Sequence, residues 1–333
     1  MDKARAAAVF TGPALEGLGA FPIKAGEIEL VALGENVTFK AVDGASGEAF
    51  VLRLHRPGYN SLEELQSERV WTRALTEAGV RVPIGLAARD GRDFVSVAIP
   101  ELGETRHVGV TSWTEGEVLF ELLDKMQDTA VFQHRFEQLG AIAAALHNQS
   151  AAWRPPPGFT RHAVDADGLM GEAPFWGRFW EHPALPSEER ALMLSTRERL
   201  HGALRRLGKD PATYGVIHAD LHPGNLLADC ETLTVIDFDD AAFGWHIYDI
   251  AVALTHYETR PDFPSIREAF LRGYRRHRPL AEEVTALLPM FLLIRRLAVI
   301  GWLMQRPEID PGARLDEIRA LAKAQCEAFE PPC

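Results

Sequence analysis

The residues His218-Ala219-Asp220-Leu221-His222-Pro223-Gly224-Asn225 are followed, after a short gap, by Val235-Ile236-Asp237-Phe238. They set out an aspartate, an asparagine five residues later and a second aspartate twelve residues beyond that, at the end of an apolar run. Phosphoryl transfer asks a protein for these groups: one carboxylate to orient a hydroxyl and accept its proton, and an amide oxygen with a second carboxylate to hold Mg²⁺ against a nucleotide. Each residue alone has a plainer reading, because Asp and Asn beside Pro-Gly bond their own backbone in turns. Identity, order and spacing together favour the chemistry. His218 and His222 also have the spacing of a zinc helix, which needs both imidazoles on one helical face. Pro223-Gly224 interrupts any such helix and Thr213–Ile217 reads as a strand, so a loop is expected here.

The elements that must position these residues fall into two regimes. Residues 26–107 are strand-rich. The runs 28–33, 37–42 and 49–54 are apolar and β-branched, with turns at Gly34-Glu35-Asn36 and Asp43-Gly44-Ala45-Ser46-Gly47, and predict an antiparallel meander. Ser61 followed by Glu64 is a capping box that opens a helix reaching about Ala78, and Gly79 ends it. Two further strands are expected near 84–88 and 94–99, with a turn at Asp90-Gly91. Beyond residue 118 helices dominate. Phe136, Leu139, Ile142, Ala143 and Leu146 fall at helical spacing and predict core. Trp153–Gly158 is a proline-rich break, and 188–207 is a second helix, charged on one side. Strands first and helices after predict an α+β fold of two lobes with its site in the cleft.

Composition bounds the function. The chain has 333 residues, 47% hydrophobic and 25% charged, with a formal net charge of −12. That acidity disfavours nucleic acid and anionic membrane as main partners and favours neutral or cationic small substrates. Cys230, Cys326 and Cys333 show no paired spacing, which implies a reducing compartment. The N-terminal residues start an Ala-rich helix and lack the apolar core of a signal peptide. The apolar run 287–304 is interrupted by Pro289 and the pair Arg295-Arg296, so it is read as a buried helix and not as a membrane span. A cytoplasmic protein, monomer or homodimer, is expected.

His218-Ala219-Asp220-Leu221-His222-Pro223-Gly224-Asn225, Ile236-Asp237-Phe238-Asp239-Asp240, Gly244 and Asp249-Ile250-Ala251 resemble the aminoglycoside phosphotransferase and choline kinase superfamily. The order also follows the protein-kinase signature H-R-D-L-x-x-x-N, with His, Asp, Leu and Asn in place. Glu35–Phe39 and Val51–Pro57 are similar to the branch of bacterial homoserine-kinase-like enzymes and a stress-response kinase. The resemblance spans about residues 26–305 and implies a protein-kinase-like fold: a nucleotide-binding lobe over 1–107, a hinge over 108–117, and a catalytic and substrate-binding lobe over 118–333.

Carried over residue by residue, the resemblance implies Asp220 as base, Asn225 and Asp237 as Mg²⁺ ligands, and His218 as a buttress of the loop. Asp249 would bond the loop backbone, the alternative being a simple helix cap. Two departures stand out. Only Gly34 remains where protein kinases carry three glycines, although the backbone of Glu35, Asn36, Val37 and Thr38 could still line phosphates. Arg53 replaces the expected strand lysine and would face the phosphates with Glu68 as its ion-pair partner; Lys40 is the substitute cation if Arg53 points elsewhere. The stretch 110–116, with Ser112 and Trp113, would bond adenine through its backbone, with Ile99 and Val51 packed on the ring.

The implied reaction moves the γ-phosphoryl group of ATP to a hydroxyl of an amino alcohol, amino acid or aminoglycoside-like acceptor. Asp240, Tyr257, Glu258 and the aromatic segment Phe175–Trp180 are candidate acceptor contacts. A Ser/Thr protein kinase is the alternative, but only six residues separate Asp237 from Gly244, too few for a long activation loop. A catalytically empty relative would lack the base or a metal ligand.

Overall fold

The structure, a computed structural model, describes residues 2–307, 309 and 312–331; Met1 and Cys333 lie outside them. Two compact units are present. One holds the chain up to Leu119 with Pro155–Arg161 and Leu226–Asp239; the other holds Phe120–Arg154, His162–Asn225 and the chain from Asp240.

In the first unit, α1 (Lys3–Leu18) precedes β1 (Ala25–Leu33), β2 (Val37–Asp43) and β3 (Ala49–Leu54), and β1, β2 and β3 form the expected antiparallel meander. The alternation Val37, Phe39, Ala41 buries one face of β2. That face belongs to a core that also takes Ala6, Phe10, Ala14 and Leu18 of α1, one residue per helical turn. α2 (Leu62–Glu77) opens with both hydrogen bonds of the Ser61–Glu64 capping box. β4 (Gly85–Leu86) and β5 (Phe94–Ile99) flank the expected turn but do not pair with each other. Both bond to β6 (Glu104–Ser112), as does β3. β6 was not expected, because Glu104, Arg106 and His107 hide the apolar alternation of its second half; its last residues occupy half of the stretch read as a hinge. β7 (Glu117–Val118) pairs with β10 (Leu226–Asp229), which forms a hairpin with β11 (Thr232–Val235).

The second unit is mainly helical. α3 (Leu119–Lys125) leads to α4 (Thr129–Ala152), capped by Asp128. Phe136, Leu139, Ala143 and Leu146 are buried, while Ile142 is only half-buried. β8 (Ala163–Val164), α5 (Ala166–Met170), α6 (Ser187–Arg206) and β9 (Tyr214–Ile217) follow, then β12 (Ala242–Trp245), α7 (His246–Thr255), α8 (Phe263–Arg275), α9 (Glu282–Thr285), α10 (Leu288–Met304) and α11 (Ala313–Ala328). β12 lies between β8 and β9 in a small sheet. α4 and α8 cross with their backbones nearly touching, since a Cβ on Gly140 would fall 2.0 Å from the Phe270 carbonyl oxygen and one on Gly273 would fall 1.9 Å from that of Glu137. The stretch Glu282–Met304 is apolar and long enough to cross a membrane, yet most of it is buried inside the protein. It is a core helix, as the two arginines suggested.

Candidate active site

β9 delivers the chain to His218, and the loop that follows is strained and held from beneath. Ala219 takes a left-handed conformation (φ 64°), which costs a residue with a Cβ and persists only where its surroundings enforce it. Asp249, fully buried in the first turn of α7, enforces it. Its carboxylate accepts the backbone N–H groups of His218 (3.1 Å) and Ala219 (2.7 Å). Asp249 therefore bonds the loop and does not cap its own helix, whose N-cap is Trp245. His218, also buried, accepts the Asp220 N–H at Nδ1, 3.3 Å away.

The Asp220 carboxylate is fixed on both oxygens. Asn225 donates its amide nitrogen to Oδ2 (2.8 Å) and to the Asp220 carbonyl (2.9 Å). His222 Nδ1 accepts the Gly224 N–H at 3.0 Å, which leaves Nε2 as the ring nitrogen that can donate, and it lies 3.3 Å from Oδ2. Gly224 permits this closeness, since a Cβ there would lie 2.5 Å from the imidazole. Arg295 of α10 donates to Oδ1 at 2.5 Å. Burial works to raise the Asp220 carboxyl, but His222 and Arg295 outweigh it and hold the group well below the usual carboxylate range.

Asp249 is supported in turn by His147 of α4, whose Nε2 is 3.2 Å from Oδ2 and whose Nδ1 is 2.8 Å from the Tyr274 hydroxyl. Burial pushes Asp249 up to about 6 and His147 down to about 3. The ring of His246 stacks on His147 at 4.4 Å and is driven down to about 2 by burial and by His147. Both imidazoles are thus neutral at physiological pH.

In the first unit, Arg53 emerges from the face of β3 opposite the α1 core and pairs with Asp237 (2.8 Å) and Asp239 (3.2 Å). This corrects the expected Arg53–Glu68 ion pair. Glu68 keeps a buried carboxyl oxygen with no hydrogen-bond partner and acts on Arg53 only through its field; burial and the Asp239 charge push it up to about 7. Asp237 is left-handed (φ 65°). The segment is locked at Asp239: Asn36 donates to its carboxylate, while Asn60 (3.0 Å) and Arg161 (2.5 Å) donate to its carbonyl. Burial opposes ionisation of Asp239, but Arg53 and His55 keep its carboxyl lowered.

The remaining candidates are placed as follows. Thr38 and Lys40 share the Arg53 face, opposite Arg53 and Val51 in the strand register. Lys40 lies over the Trp113 ring at 4.3 Å. Gly34 donates its N–H to the Asn36 carbonyl (3.1 Å) within the β1–β2 turn, and the Ser112 hydroxyl accepts the Ile84 N–H at 2.9 Å. Ile99 is not beside Val51: strand alternation turns it into the core under α1. Tyr257 packs against Phe132 and Phe136, and Glu258 accepts from Arg296 and Gln325, so both serve packing in place of the acceptor contacts expected. Asp240 acts electrostatically on Arg295 and Tyr248, the groups next to Asp220. Trp176 stacks on Tyr248 and lies under the Arg295 guanidinium. Sequence reasoning missed Arg295, Asp239, Arg161 and the part played by His222. A charged pair inside an apolar helix was the available signal for Arg295.

The donor sets suit a hard cation. Asn225 spends its amide nitrogen on Asp220 and retains Oδ1; Asp237 spends Oδ1 on Arg53 and retains Oδ2. Among the described residues no group of three or more His, Cys, Asp or Glu side chains is placed to hold a metal ion, so an ion held at either residue would lean on a ligand's own oxygens, as Mg²⁺ does on phosphates.

Residues 27–284 match the model of a phosphotransferase enzyme family. The structure of a microcompartment-associated aminopropanol kinase is 33% identical over 95% of both chains, with a TM-score of 0.80. An amicoumacin kinase in complex with AMP-PNP and Ca²⁺ has the same fold at 22% identity, covering 99% of this chain and 97% of its own with a TM-score of 0.78. A homoserine kinase of Acidiphilium cryptum is 34% identical over 177 residues, half of each chain.

Proposed function

The chain belongs to the phosphotransferase enzyme family, and on that premise we propose that it transfers the γ-phosphoryl group of ATP to a hydroxyl of a small molecule. The observation that carries the reading is the Asp220 carboxylate, ionised and fixed by Asn225, His222 and Arg295 on a loop whose backbone Asp249 holds. In the step, the acceptor oxygen bonds the γ-phosphorus and the bond from that phosphorus to the β-bridging oxygen breaks. ADP leaves with the electron pair, and the hydroxyl proton passes to Asp220. Because the transition state is loose, Asp220 first aims the hydroxyl and takes the proton late. Arg53, on the polar face of the sheet with Thr38, would meet phosphate oxygens. Asn225 and Asp237 would hold Mg²⁺, which when bound neutralises phosphate charge.

The acceptor class follows from charge and kinship. Aminopropanol and homoserine, for which two relatives are named, both carry an amine and a hydroxyl. The net charge of −12 and the Asp240 carboxylate suit such a cation. A protein acceptor is disfavoured by the short path from Asp237 to β12, which starts at Ala242 and leaves no room for a substrate-docking loop. A cytoplasmic enzyme fits the same reading.

A coupled ADP-release screen tests it, with aminopropanol, homoserine, choline, sugars and aminoglycosides as acceptors and casein as the protein control. Turnover on one of the small hydroxyl compounds is expected. Turnover confined to casein, or absent from the whole panel, would reject the proposal.

A further inference from the structure

Asp220 has two carboxylate oxygens, and each can accept about two hydrogen bonds. Oδ2 already takes Asn225 at 2.8 Å and faces Nε2 of His222 at 3.3 Å. Oδ1 takes Arg295 at 2.5 Å and has one lone pair left. Arg295 is itself held in place. Its guanidinium lies 5.7 Å from the centre of the Trp176 ring, Tyr248 and Asp240 act on it electrostatically, and its side chain is only 15% exposed on a core helix. An apolar residue would suit that position in a helix core, and a buried charge is retained at a cost unless its partner needs it.

We propose that Arg295 is the positioning residue of the phosphoryl-transfer step: it locks the Asp220 carboxylate through Oδ1 and so leaves the second lone pair of Oδ1 as the place where the acceptor hydroxyl binds. This rests on the reading of Asp220 as the group that receives the hydroxyl proton. It assigns the acceptor oxygen to the Arg295 side of the carboxylate, away from Asn225. The guanidinium does not take the proton and does not touch the nucleotide, so its loss alters aim and not nucleotide binding.

The test compares Arg295→Lys, Arg295→Gln and Arg295→Ala with Asp220→Asn and the Asp220→Asn/Arg295→Ala double variant, using the fastest acceptor of the panel above. Arg295→Ala should lower kcat by roughly 10- to 1000-fold, the range for losing one preorganised charged donor, with ADP and ATP affinity within about threefold. Arg295→Lys should turn over at least about tenfold faster than Arg295→Gln, because it restores a charged donor to Oδ1. Millimolar guanidinium should raise the rate of Arg295→Ala several-fold and leave the double variant unchanged. A helix-packing role predicts none of these recoveries. Wild-type turnover in Arg295→Ala, or equal rates for Lys and Gln, overturns the proposal even if the alanine variant folds poorly. The two readings separate cleanly. An inactive Asp220→Asn beside a normal Arg295→Ala sinks only the role of Arg295, whereas a fully active Asp220→Asn sinks the base as well.

Discussion

Asp220 and Asp237, the two aspartates proposed to act in the reaction, are held by different means. Asp220 stands on a loop whose backbone is bonded from below by a buried carboxylate, Asp249, and that carboxylate is backed by neutral imidazole and phenol. Asp237 stands on a segment gripped from the side by guanidinium and amide donors: Arg53, Arg161, Asn36 and Asn60. Each region contains one left-handed residue bearing a Cβ, Ala219 in the first and Asp237 in the second. The difference is that one loop rests on a buried carboxylate backed by imidazole, while guanidinium and amide donors tie the other directly. Damage to the two regions should therefore look different.

The largest effect is expected at Asp220. Asp220→Asn should lower turnover about 10²- to 10⁴-fold while nucleotide affinity stays within a few-fold, read by coupled ADP release and by calorimetry. Turnover above about a tenth of wild type would mean that neither base nor aim is needed. Next comes the charged grip. Arg53→Ala should cost roughly 10- to 1000-fold, Arg53→Lys less, because an ammonium keeps the charge and the approximate reach of the one nitrogen that contacts Asp237 and Asp239, and Glu68→Ala least, because Glu68 makes no ion pair with Arg53. If Glu68→Ala were as harmful as Arg53→Ala, the pairing with Asp237 and Asp239 would not be the working arrangement.

Asp249→Ala sharpens the contrast, since it strands two buried N–H donors at about 1–3 kcal/mol each. Thermal unfolding should shift down by several degrees and turnover should fall with it, whereas Arg53→Ala should lose turnover with little change in melting. Equal melting for Asp249→Ala and wild type would show that the loop stands without its anchor.

The smallest effect is on acid stability. His147 and His246 have folded pKa values of about 3 and about 2, below their ordinary 6.5, so the unfolded chain binds protons there that the folded one refuses. Their contribution to stability is complete above pH 6.5 and is lost as the pH falls from there toward the folded values. Asp249, raised to about 6, works in the opposite sense: its share of stability is greatest at low pH and fades as the pH rises from 3.8 to 6. Two histidines against one aspartate leave a net loss on acidification. The urea midpoint should be lower at pH 5 than at pH 7.5 in the wild type, and the two midpoints should move closer in His147→Gln; an unchanged gap would mean that His147 is not the sensitive support.

Much of the site was legible in the sequence because phosphoryl transfer demands particular groups in a short, ordered stretch. Asp220, Asn225 and Asp237 are proposed on that ground, and the bonding of the loop backbone by Asp249, which the family resemblance implied, is present in the structure. The capping box at Ser61 and the meander were legible because their signals are local. What stayed hidden depends on pairing between distant residues. β6 joins three other strands, yet its charged first half mimics a loop. Ile99 has the right chemistry for an adenine pocket, but strand alternation fixed its face. Arg295 lies 75 residues from Asp220 in sequence and reads as a nuisance within an apolar helix until the fold brings the two together.

α10 carries two neighbouring arginines with separate destinations. Arg295 goes to Asp220, while Arg296 goes to Glu258 and to Gln325 of α11. Successive residues of a helix point about 100° apart, so the two side chains reach different clusters only because their register is fixed. Deleting one residue between Leu288 and Ile294 would put Arg296 where Arg295 stands and Arg295 where Ile294 stands, and inserting one would put Arg295 where Arg296 stands and Arg296 where Leu297 stands. Apolar exchanges along α10 are therefore survivable in a way that changes of length are not, and chains that diverge from this one should gain or lose residues in the turns around the helix while its count from Leu288 to Arg295 stays constant.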